Sequence, residues 1–66
     1  MAGNTRGKLK EELEGMHRNL DWLRVHAVRC ADLCGPTHPD LVEMFVVMGD
    51  QAGTQDDILQ TIYGTI

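Results

Sequence analysis

Leu9, Leu13, Met16, Leu20, Leu23, Ala27, Cys30 and Cys34 follow one another at alternating steps of four and three, and this unbroken run dictates a long helix. A half-buried strand would instead repeat every second residue. In heptad terms Leu13, Leu20, Ala27 and Cys34 occupy position a, and Leu9, Met16, Leu23 and Cys30 occupy position d. Lys10–Glu14 and Glu14–Arg18, each four apart, add same-face pairs of opposite charge. The one internal fault is Gly15, at an outward position, which costs about 1 kcal/mol relative to Ala. A helix over 8–34 would be about 40 Å long.

The stop is as clear as the run. Gly35 can take the left-handed conformation just past the last helical residue, and Pro36 forbids continuation. Thr37 has the chemistry of an N-cap, Asp40 lies three residues later, and Pro39 suits a first helical turn. A turn over 35–38 this short makes its two helices antiparallel neighbours. Beyond it Leu41, Phe45, Met48, Ala52, Gln55, Leu59, Ile62 and Ile66 keep the same steps. Gly49 and Gly53 bracket a polar stretch, and Thr54 with Asp57 repeats the capping pattern. The expectation is therefore an all-α helical hairpin whose returning helix is broken near Gly49–Gly53, into segments over 39–49 and 55–64, with a single kinked helix as the alternative. Residues 1–7, small, polar and twice interrupted by Gly, read as a flexible tail ahead of a single domain over 8–66.

Sixty-six residues cannot hide much. A chain this small buries only about 60% of its unfolded surface, so disulfides, a metal or a second subunit usually supplement the core. Two cysteines in a chain without a signal-peptide core predict free thiols and a cytoplasmic setting. The expected intrachain core is Leu13, Leu20, Leu23, Phe45, Leu59 and Ile62. That leaves a surplus. Trp22, Val25 and Val28 fall off the a/d line, and Leu41–Met48 carries one charge, Glu43, so Val42, Val46 and Val47 cannot all face the first helix. These six residues are the expected oligomer or partner surface, and a twofold dimer forming a four-helix-like bundle is the simplest way to cover them.

Charge is segregated along the chain. All six basic residues lie before position 35 beside five acids, whereas residues 35–66 hold five acids and no Lys or Arg. The net charge of −4 argues against nucleic acid as a partner, and no apolar run reaches the roughly 20 residues of a membrane span.

Candidate chemistry is thin. His26, Cys30, Cys34 and His38 recur at steps of four and carry zinc- or copper-type donors, but steps of four drift around a helix, and Cys30 and Cys34 sit on the seam as small hydrophobes. Glu14 and His17 match the Glu-x-x-His spacing of di-metal bundles, yet Leu13 and Met16 hold the inward positions, so a solvated face is expected there. Asp50, Asp56 and Asp57 lack the spacing of a calcium loop. With no Ser and no Gly-rich phosphate loop, neither catalysis nor a cofactor is expected.

Pro36-Thr37-His38-Pro39 followed by Leu41 resembles the Pro-x-x-Pro turn of type III secretion needle subunits, which are helical hairpins that polymerise. The likeness covers the turn alone; the second half departs from that family in being shorter and in lacking basic C-terminal residues. The reading from the residues is a non-enzymatic assembly protein, partnered by itself or by another protein. A metal- or redox-responsive bundle using Cys30, Cys34 and the nearby histidines is one alternative. A small acidic inhibitor or adaptor docking on a basic surface is the other.

Overall fold

The computed structural model describes residues 2–66, with side chains from Thr5 onward; Met1 lies outside the described residues. Two long helices, α1 (Ala2–Cys34) and α2 (Pro39–Thr65), run antiparallel through a single 3-10 turn at Gly35–Thr37. No strand occurs among the described residues. The rod is 55 Å long and only 15 by 11 Å across.

The turn follows from its residues. Gly35 has φ +54°, the conformation a Cβ disfavours, and Pro39 opens α2 with Asp40 in its first turn. Thr37 does not cap α2. Its hydroxyl donates to the Cys34 carbonyl at 2.9 Å, closing the end of α1, while His38 holds the N-cap position without a side-chain cap.

Three expectations need correction. The stretch 2–7 is helical rather than a tail, as part of α1. The returning segment is one helix, with no break at Gly49–Gly53. Thr54 is not a cap either: its hydroxyl donates to the Asp50 carbonyl at 3.2 Å inside α2, as Thr61 does to Asp57 at 3.0 Å. Gly49 is used for proximity instead. A Cβ built on it would stand 3.9 Å from the Cβ of Ala27, so a small residue here lets the helices approach closely.

The core is one row deep. Leu13, Ala27, Ala52 and Leu59 are buried, and Leu20, Cys34, Phe45 and Ile66 are half-buried in the same two heptad columns. Leu23 and Ile62, expected inside, are exposed. The helices are rolled about their axes so that the second contacting column is Lys10, His17 and Ala31 on α1 and Val42, Gly49, Asp56 and Tyr63 on α2. The roll has a physical cause. Gly49 permits close approach to Ala27 on that side, and His17 with Asp56 supplies a polar pair that satisfies itself.

Candidate interaction surface

The roll divides the hairpin into two unlike flanks. On one, Asp56 is 8% exposed, and its Oδ1 accepts a hydrogen bond from His17 Nδ1 at 2.7 Å. Gln60 donates to its Oδ2 at 3.2 Å, and Asp21 stands 4.0 Å from the other His17 ring nitrogen. The hydrogen bond to the Asp56 carboxylate, then its charge, raises the pKa of His17 above 6.5. The same bond, from the other side, lowers the pKa of Asp56 below 3.8. Nearer the open end, Tyr63 donates its hydroxyl to Glu14 at 3.0 Å, and Lys10 lies over the Tyr63 ring at 5.2 Å. That hydrogen bond, with the Glu14 charge behind it, raises the Tyr63 pKa. Glu14 is exposed and His17 partly so, as expected of a solvated face, and each also takes a partner on α2, with Glu14 serving Tyr63.

The opposite flank is apolar. It carries the heptad columns left over by the roll, with Leu9, Met16 and Leu23 on α1 and Leu41, Met48 and Ile62 on α2 all exposed. A groove lies between the helices there, lined by Met16, Asn19, Gln55, Ile58 and Ile62 over a floor of Leu13, Leu20 and Leu59. Met16 is 53%, Ile58 57% and Ile62 45% exposed. Asn19 and Gln55 give this groove its only polar side chains, and neither is charged.

Of the surface expected from the sequence, Trp22, Val25, Val28, Val46 and Val47 are exposed, and Val42 is half-buried in the contact between helices. They do not form one face. Trp22 and Val25 line a shallow depression with Arg18 and Asp21 on the outside of α1, and Trp22 stacks on His26 with centroids 5.7 Å apart. Val28 and Val46 border a mixed groove with Arg24, Asp32 and Asp50. Leu23 and Ile62, expected in the core, stand on the apolar flank, and Met16, expected to point inward, lines its groove. The signal that could have found it is the pairing of polar His17 with Asp56 and of small Ala27 with Gly49, which turns the other seam outward.

The sequence-based metal candidates are not brought together: His26 and His38 are exposed, and Cys30 and Cys34 are half-buried free thiols. Among the described residues no group of three or more His, Cys, Asp or Glu could hold a metal ion, and no helix is long and apolar enough to cross a membrane. Comparison with protein-family models, curated proteins and solved structures gives no match for this chain.

Proposed function

We propose that this protein is a non-enzymatic assembly module that works as a homo-oligomeric helical bundle, closed through the apolar flank of the hairpin. One observation carries the reading, which is an excess of exposed surface that includes a continuous apolar flank. A compact monomer of 7.4 kDa exposes about 4,200 Å², and its radius of gyration is about 11 Å. This hairpin exposes 5190 Å² and has a radius of gyration of 15.7 Å. The excess of about 1,000 Å² is close to the roughly 800 Å² each partner buries in a standard interface. Seven exposed large apolar residues on that flank, with uncharged Asn19 and Gln55 between them, suit burial better than lasting exposure.

Sedimentation equilibrium over a concentration series tests the proposal. The wild-type chain is expected to be an oligomer at micromolar concentration. Met16→Gln with Ile62→Gln should raise the dissociation constant at least tenfold, whereas Val25→Gln on the outside of α1 should leave it unchanged. A folded wild-type monomer at that concentration would overturn the proposal.

A further inference from the structure

Resting on the self-association just proposed, we infer that two copies meet with their turns at the same end, so that α1 of each copy lies against α2 of the other. Two hairpins can bury their apolar flanks against each other about a twofold axis in either of two ways. An axis parallel to the helices keeps every residue at its own height and sets α1 against the partner's α2. An axis perpendicular to the helices inverts one copy and sets α1 on α1 and α2 on α2.

Charge chooses between them. α2 carries Asp40, Glu43, Asp50, Asp56 and Asp57 and no Lys or Arg, whereas every basic residue of the chain belongs to α1. The perpendicular axis would set α2 on α2, each with four exposed carboxylates (Asp40, Glu43, Asp50 and Asp57) and no base, at neighbouring-helix distance, about the Debye length of 8–10 Å within which like charges repel. The parallel axis replaces that repulsion with acidic α2 beside α1, whose six bases and five acids leave a net charge of +1. Heights within the hairpin are fixed by His17 with Asp56 and by Ala27 beside Gly49. By that register Asn19 stands level with Gln55. The parallel axis therefore brings α1, the helix that holds every Lys and Arg, alongside the partner copy's acidic helix. It also sets the two amides of the groove at matching height, where each can satisfy the other as the flank closes.

The ends of the rod make the test decisive. A nitroxide label placed on exposed His38, as His38→Cys in a Cys30→Ala, Cys34→Ala chain, reports the separation of the two turns by double electron–electron resonance. A short distance, of the order of a bundle's width, is the expected result. A distance approaching the 55 Å length of the hairpin would overturn the inference while leaving self-association intact. Absence of any interchain distance, with sedimentation giving a monomer, would overturn both. Should the single-cysteine chain not fold, the wild-type protein serves, because its only lysines are Lys8 and Lys10 at the open end. In a mixture of isotopically light and heavy protein, a short amine–amine cross-linker should then yield heavy–light Lys–Lys links. Their absence from a dimer cross-linked elsewhere would count against the same-end arrangement.

Discussion

His17 on α1 and Asp56 on α2, separated by 39 positions in the chain, share a hydrogen bond of 2.7 Å across the hairpin. Asp56 is the one buried charged residue among those described, and its two oxygens are both engaged, by His17 and by Gln60. A slip of either helix by one turn would leave that carboxylate buried and unpaired, the costly half of any hydrogen-bond exchange. The pair thus fixes both the register of the helices and the side on which they touch.

Stability should depend on pH through this pair. His17 titrates above 6.5 in the folded chain, so its contribution is complete below 6.5 and is lost as pH rises through the elevated folded value. Asp56 titrates below 3.8, so its contribution is present above 3.8 and is lost as pH falls through the depressed folded value. Urea unfolding at fixed protein concentration should show a maximum between these limits. His17→Gln should remove the alkaline decline and lower the plateau.

Gly53→Ala should stabilise the protein by about 0.5–1 kcal/mol, because α2 is continuous there and nothing lies within 4 Å of the added Cβ. Gly49→Ala should be neutral or mildly stabilising, since its new methyl meets Ala27 at ordinary contact distance, 3.9 Å. Thermal unfolding followed by circular dichroism measures both. Destabilisation by Gly53→Ala would mean that α2 bends at this point.

Gly35→Ala should have the opposite sign. With φ +54° at the turn, a Cβ costs about 1–2 kcal/mol although nothing lies near it. The midpoint of denaturant unfolding should fall while the slope stays unchanged.

Leu59→Ala should be the most damaging of these changes, at about 2–5 kcal/mol for a buried leucine. A domain of this size has only about 3–10 kcal/mol of total stability. The variant should be largely unfolded by circular dichroism at concentrations where the wild-type chain is helical.

The hairpin itself was legible in the residues. The four–three run to Cys34 and the Gly35-Pro36 stop gave α1, the turn and the antiparallel return, because each is a local property of the chain. The rotation of the helices was not legible. The apolar pattern of α2 supports two overlapping stripes, one pairing the Phe45–Ala52–Leu59 column with Met48 and Ile62, the other pairing it with Gly49 and Asp56. Hydrophobicity favours the first; close approach at Gly49 and the His17–Asp56 bond favour the second, and both depend on contacts made across the hairpin. Gly49 reads as a break for a related reason, since helix propensity counts what a glycine lacks and not the neighbour its absence of a side chain admits. Gly53 has no neighbour within 4 Å, and its cost of about 1 kcal/mol does not interrupt α2. The candidate surface shifted as a consequence. Residues assigned inward, such as Met16 and Ile62, became the exposed flank, and the valines are scattered over other faces.

The apolar core between α1 and α2 is a single file of side chains, and not one of them is completely sealed from solvent. Such a rod has no dry interior to melt on its own. If a second hairpin supplies the missing wall, acquiring shape and acquiring a companion become one cooperative event, and the melting temperature should climb with the amount of protein in the tube.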